Sequence, residues 1–384
     1  MRSSLLYITL LVFFGFGTGC TPAVEYGTVE PPDQPGAFGV GYETFVATDT
    51  QREGRTLAAE VWFPVDPEDA EGLPSVKYPL APLIDLESEL AVANAPVSNR
   101  SGQTLLLFSH GYGGISNQSI DLMEFLASHG FVVVSPEHTG NAQASFTDDF
   151  DTAAANRVPD LSFLIDTMLE RNESESDPFY QRLKDTEVGV VGHSFGGMTT
   201  LGMAAGWAGA SADPRVTAIV PISAVIQPDL QATERTGSNA GFTSEQLAEI
   251  TVPTMLLGGT EDLSVPIENN DLAFKQLKNA SVVYQVDVIG ANHTHFANVC
   301  IIGNRLIELG LTQDMWPGLG ADALVDPYES TCTGDAFDFD EALRLQNLYV
   351  VSFFKRYSLG LMDYEQFLNK QAAKLEEAID FRQR

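Results

Sequence analysis

The sequence predicts an α/β domain in which helices cover both faces of a mostly parallel central sheet, with an antiparallel strand pair opening the chain. Three observations carry that expectation. Thr104–Phe108, Phe131–Ser135, Val188–Val191, Val216–Ile222, Thr254–Leu257 and Val282–Val288 are short, nearly continuous apolar runs, as strands buried on both faces require. Segments with helical spacing separate several of them. Glycine-rich turns follow several of the runs, and in such sheets the functional loops gather at the carboxyl ends of the strands.

In chain order, Arg2, the apolar stretch Leu5 to Phe16 and the small residues before Cys20 read as a secretory signal, residues 1–20. A cysteine directly after small residues resembles the bacterial lipoprotein signal, in which that cysteine is acylated, although Gly17 stands where Leu is usual. The expectation is therefore export, to the cell envelope through a lipid on Cys20 or as a secreted or periplasmic protein. Residues 21–37 hold four prolines and read as a tether, leaving 38–384 as the folded domain. Tyr42–Thr48 and Thr56–Phe63 form the opening strand pair, and residues 66–100 read as a surface excursion. Ile120–Ser128, Pro159–Glu170 and Phe195–Trp207 are helices, residues 224–251 a small cap, and Asp340–Arg356 and Asp363–Ile379 two closing helices.

Composition narrows the function. Of 384 residues, 44% are hydrophobic and 19% charged, enough for one large core. The net charge of −31 argues against a nucleic-acid partner, because the sequence offers no basic patch to neutralise phosphates. Once Cys20 is set aside, Cys300 and Cys332 remain as a pair. Export permits a disulfide between them, worth ~3–4 kcal/mol by loop-closure entropy; two buried thiols are the alternative. No cysteine has the neighbours of a zinc site. Asp335, Asp338, Asp340 and Glu341 lack the spacing of a calcium loop and read as a solvated turn opening a helix. No cofactor or metal is expected.

The chemistry is carried by short motifs at strand ends. Gly192-His193-Ser194-Phe195-Gly196-Gly197 places a serine on a sharp strand-to-helix turn, exposing its hydroxyl above the sheet where the helix N-terminus favours negative charge. Ser109-His110-Gly111-Tyr112-Gly113-Gly114 follows an earlier strand. Acyl transfer needs two backbone N–H donors for the developing oxyanion, and Tyr112 and Phe195 are the natural pair. The base must come after the last strand, where His293 stands with His295 as alternate. The acid follows Thr254–Leu257, where Asp262 can orient the histidine, with Glu261 as alternate.

These segments resemble the α/β-hydrolase superfamily, in particular the bacterial predicted dienelactone hydrolases and the platelet-activating-factor acetylhydrolases, with the polyester hydrolases as relatives. FSHGYGG, LASHGFVVVSPEHTGNAQAS, GHSFGGMT and GANHTHFANV carry the likeness, which covers roughly residues 39–367. It implies the α/β-hydrolase fold, Ser194 as nucleophile, His293 as base, and Tyr112 and Phe195 as oxyanion donors. In the animal acetylhydrolases the acid follows the preceding strand, where this chain has Ser223, so the acid is expected one strand later at Asp262. The leading expectation is an exported serine esterase for short or medium acyl chains. A polyester or cutin-type depolymerase, in which Tyr112 and Trp207 would line an open cleft, is the second reading, although Trp207 reads more readily as helix packing. A non-catalytic binding lipoprotein is the third.

Overall fold

Strand β1 (Gly39–Asp49) and strand β2 (Arg55–Val65) pair antiparallel along their whole lengths, burying Ala47, Leu57, Ala59, Val61 and Phe63 in one apolar layer and Val40 and Trp62 in the other. The structure, a computed structural model, describes residues 29–81, 84–230 and 237–384. The expected signal, Cys20 and residues 21–28 of the tether lie outside the described residues.

The excursion expected at 66–100 is a correction. After a four-residue helix, α1 (Pro67–Ala70), it forms strands β3 (Ser75–Ala81) and β4 (Ile84–Val92), and β4 pairs with β1 to extend the sheet. Its Pro and Asp content suits edge strands, which need not donate on both sides.

The alternation then follows. β5 (Gln103–Ser109) leads to α2 (Ile120–Ser128), and β6 (Val132–Pro136) to α3 (Phe150–Glu173). β7 (Leu183–His193) runs into α4 (Phe195–Ala205). β8 (Val216–Ile222), α5 (Ser244–Ala248), β9 (Thr254–Gly259), α6 (Glu268–Gln276) and β10 (Val283–Val288) complete the repeat. Helix α3 begins nine residues before the expected start at Pro159: Asp149 caps it by accepting from Thr152 N–H, and Pro159 is carried inside. Burial of Leu161, Leu164, Ile165 and Met168 on one face outweighs the hydrogen bond that proline removes.

Beyond β10, α7 (Val299–Glu308) and α8 (Val325–Cys332) form an insert with its own small core of Leu306, Trp316 and Tyr328, tied by the Cys300–Cys332 disulfide. Helix α9 (Phe339–Tyr357) follows, opened by Asp338 accepting from Glu341 N–H, so that part of the acidic turn serves as a helix cap. The second closing helix is another correction: residues 363–379 give a 3-10 turn and the short α10 (Lys370–Ala373), and the chain ends as β11 (Ile379–Gln383), antiparallel to β10.

Eleven strands among the described residues form one sheet, ordered β11-β10-β9-β8-β7-β5-β6-β2-β1-β4-β3, and the run from β10 to β6 is parallel. Helices α3, α4 and α6 share one apolar layer, and α2 and α9 the other. This is the α/β-hydrolase fold. Ala224, Val225, Ile226, Leu247 and Ile250 of the 224–251 segment are buried in the first layer.

Candidate active site

The turn between β7 and α4 holds Ser194 at φ +60° and ψ −118°, a backbone region that side chains rarely enter. Close packing forces that shape. A Cβ on Gly196 would lie 1.7 Å from the Ser109 carbonyl oxygen, so only glycine lets the elbow sit against the end of β5. Ser194 N–H donates to the Ile222 carbonyl at 2.8 Å, which ties the turn to β8.

On the far side, β9 ends in the turn carrying Asp262. Its Oδ1 accepts from Ser264 N–H at 2.9 Å and Val265 N–H at 2.7 Å, leaving Oδ2 to accept from His293 Nδ1 at 2.7 Å. Burial pushes this carboxyl up, but the charge and hydrogen bond of His293 and the Val265 N–H prevail and hold it below the usual carboxylate range. Ser223, at φ +47° after β8, is buried close enough to help hold Asp262 down, yet makes no hydrogen bond of ordinary geometry. Glu261 is exposed. His295, the alternate base, is buried: its Nδ1 accepts from Asn292 N–H at 2.9 Å and its Nε2 donates to the Phe337 carbonyl at 3.0 Å.

The 109–114 loop is held from below by a group that the sequence reading missed. Arg157, fully buried on α3, donates to the His110 carbonyl at 2.6 Å, the Gly111 carbonyl at 3.0 Å, Ser109 Oγ at 3.0 Å and Asn141 Oδ1 at 2.5 Å. A trans peptide points its C=O and N–H in opposite directions. Drawing the Gly111 carbonyl toward Arg157 therefore turns the Tyr112 N–H toward the opposite side. Phe195 is the first residue of α4, where an N–H has no partner within the helix. One turn on, Asp160 accepts from Arg52, from Arg55 at two atoms and from His138 Nδ1 at 2.9 Å. Its pKa lies well below the usual range: those partners overcome burial. His138 Nε2, left as an acceptor, takes the Ser109 hydroxyl at 3.1 Å. Burial, and then the Arg157 charge, push His138 down to about 3, and the same causes lower His110, so both rings are neutral. One signal could have revealed this: Arg157 and Asp160 are charges three apart on a helix face otherwise made of Ala153, Ala154, Val158, Leu161 and Leu164.

Around Ser194 the walls are aromatic. Tyr112 stacks on Phe150 at 5.7 Å and meets Phe146 and Phe195 edge-on at 5.3 and 5.1 Å. Phe146 is 54% exposed, and Leu263, beside Asp262, is 78% exposed. Trp207 does not line a cleft: it is buried against Phe195 and Phe242, with its indole N–H on the Asn239 carbonyl. Among the described residues no group of acidic, histidine and cysteine side chains could hold a metal ion.

Comparison with known proteins agrees with this architecture. The family model described as Chlorophyllase matches residues 92–259, a span holding the 109–114 loop and the elbow but stopping short of Asp262 and His293. Cutinase est1 of Thermobifida alba is 26% identical over 243 residues, 59% of this chain and 70% of that protein. Cutinase 1 of Thermobifida cellulosilytica is 26% identical over 239 residues, 58% of this chain and 78% of its own length. The cutinase of Thermobifida fusca (strain YX) shares the same identity over 58% of this chain and 67% of its own.

Proposed function

We propose, for a chain that is an α/β-hydrolase and a carboxylic ester hydrolase related to cutinases, that Ser194, His293 and Asp262 form a nucleophile, base and acid working through an acyl-enzyme. In this reading the Ser194 hydroxyl attacks the ester carbonyl carbon while His293 Nε2 takes its proton. The carbonyl oxygen becomes an anion and receives the N–H groups of Tyr112 and Phe195. Collapse expels the alcohol, which leaves with the proton from His293. Water, deprotonated by the same ring, then releases the acid and restores Ser194. Asp262 holds the ring with Nε2 facing the serine and stabilises the imidazolium in both steps. The observation that carries the reading is the 2.7 Å Asp262–His293 pair, reached from separate strands beside a serine on a strained elbow.

The substrate class proposed is carboxylic esters of short to medium acyl chains, including those presented along a polyester of the cutin type. Support for the polymeric form comes from the exposed apolar side chains on both loops, Phe146 on one and Leu263 on the other, and from the names of the relatives. Export is part of the proposal, because the Cys300–Cys332 disulfide belongs to an oxidising compartment.

The test compares the purified protein with Ser194→Ala on p-nitrophenyl esters from acetyl to palmitoyl and on an aliphatic polyester film. The expected outcome is turnover highest on short to medium chains, release of soluble acid from the film, and loss of both by at least ~1,000-fold in the variant. Undiminished hydrolysis by Ser194→Ala would overturn the triad. Small-ester turnover without film erosion would remove the polymer.

A further inference from the structure

Gln118 lies between the two halves of the site. It precedes α2, and its side chain reaches the 109–114 loop on one side and His193, the last residue of β7, on the other. Gly111 N–H donates to Gln118 Oε1 at 2.9 Å, Gln118 Nε2 donates to His193 Nδ1 at 2.9 Å, and His193 Nε2 donates to the His293 carbonyl at 2.9 Å. We propose that Gln118 and His193 are positioning residues that set the spacing between the oxyanion loop and the base across the nucleophile elbow. This rests on the roles given above to Ser194 and His293.

The direction of every bond in the chain is forced. Gly111 N–H can only donate, so the Gln118 oxygen faces it and the amide nitrogen faces His193. That nitrogen can only donate, so His193 Nδ1 carries a lone pair and Nε2 carries the proton. The His293 carbonyl can only accept, and it receives that proton. Reversing one member places donor against donor or acceptor against acceptor.

Three features tie this chain to the reaction rather than to packing alone. Its first end holds the N–H of the His110–Gly111 peptide, one peptide before the Tyr112 N–H, while Arg157 holds the His110 carbonyl of that same peptide. Its last end fixes the backbone of the base itself, and the His193 and His293 rings lie 4.5 Å apart. The same segment anchors the base turn twice more, Ser119 Oγ donating to the Phe296 carbonyl at 3.0 Å and Asn298 N–H to the Gln118 carbonyl at 2.8 Å. His193 is also kept neutral, pushed down to about 3 by burial and then by the neighbouring His293 charge. The ring beside the base thus adds no positive charge when His293 takes its proton.

The experiment uses the full chain with Gln118→Glu and Gln118→Met, both of similar size to glutamine, assayed on a p-nitrophenyl ester. Glutamate cannot donate to His193 Nδ1, so the relay must break or His193 must become a cation beside the base. Methionine leaves both neighbours without their partner. The expected result is kcat lowered roughly 10- to 100-fold in each with KM within about threefold, the scale of a misplaced catalytic group. Wild-type kcat in both folded variants would overturn the proposal. A second measurement needs no variant: nitrogen-15 NMR of histidine-labelled wild-type protein should show His193 as the neutral Nε2–H tautomer throughout pH 5–9. An Nδ1–H tautomer or an imidazolium in that range contradicts the relay whatever the variants do. Ser194→Ala run alongside separates the two ideas: its inactivity beside an unimpaired Gln118→Glu defeats the relay alone, whereas its activity defeats the triad beneath it.

Discussion

The two sides of the elbow are held by different physics. On the oxyanion side, permanent buried charge does the holding: Arg157 grips two loop carbonyls and Asp160 neutralises Arg52 and Arg55 beneath them. On the base side, apart from Asp262, the support is neutral. Asn292 Nδ2 donates to the Ser330 carbonyl, the Thr294 and Thr331 hydroxyls meet, and His295 reaches the Phe337 carbonyl, all on or next to the disulfide-tied insert. The difference follows from what each side must do in the proposed mechanism. An oxyanion donor keeps one charge state and gains from rigidity, so a fixed cation at its back costs nothing during turnover. A base that becomes imidazolium would be opposed by a second buried cation, so its cage is built from uncharged partners and one carboxylate.

That contrast can be broken from either side. The largest effect is expected from Asp262→Asn, which keeps the shape but favours the wrong ring tautomer: kcat should fall about 10⁴-fold, read as initial rates on a soluble ester. Next comes Arg157→Met. It leaves two loop carbonyls, Ser109 and Asn141 without their donor, and should lower kcat about 100-fold and stability by roughly 3 kcal/mol, seen together in kinetics and urea melts. Arg157→Lys keeps the charge but not the fork, and should fall between wild type and Met.

On the base side, Cys300→Ser with Cys332→Ser should lower stability by ~3–4 kcal/mol while kcat in the folded fraction drops only a few-fold, because the neutral hydrogen bonds persist. A loss of activity as large as that of Arg157→Met would erase the distinction between the two sides.

The smallest effect on activity, none, is expected at Glu124, remote from the site. It accepts from Tyr78 at 2.7 Å and Ser88 at 2.6 Å, and burial pushes its carboxyl up to about 7. A raised acid binds its proton more tightly in the folded state. Its contribution is therefore complete below the ordinary value of 4.5 and is lost as pH rises toward 7, by roughly 3 kcal/mol. Glu124→Gln should melt higher than wild type at pH 8 and lose that advantage near pH 4.5.

The sequence disclosed whatever is local. The elbow, the 109–114 turn, the Asp262 turn and the His293 turn are each written in a few adjacent residues, because a tight turn after a strand constrains its own neighbours. What it hid depends on distance. Arg157 reaches the oxyanion loop from mid-helix, and Gln118 reaches His193 across 75 residues; neither has a local pattern that names its partner. The β3–β4 hairpin was hidden by Pro and Asp, which edge strands tolerate, and β11 by an Ala- and Glu-rich approach that has helical propensity until the edge of β10 recruits it.

The central claim, that Ser194 is the acylated group, is tested most directly by treating the folded protein with a fluorophosphonate and mapping the adduct by peptide mass spectrometry. The account predicts one phosphonyl group per chain, on Ser194, with ester hydrolysis lost in proportion to labelling. Labelling elsewhere, or full labelling of Ser194 with hydrolysis intact, would contradict it.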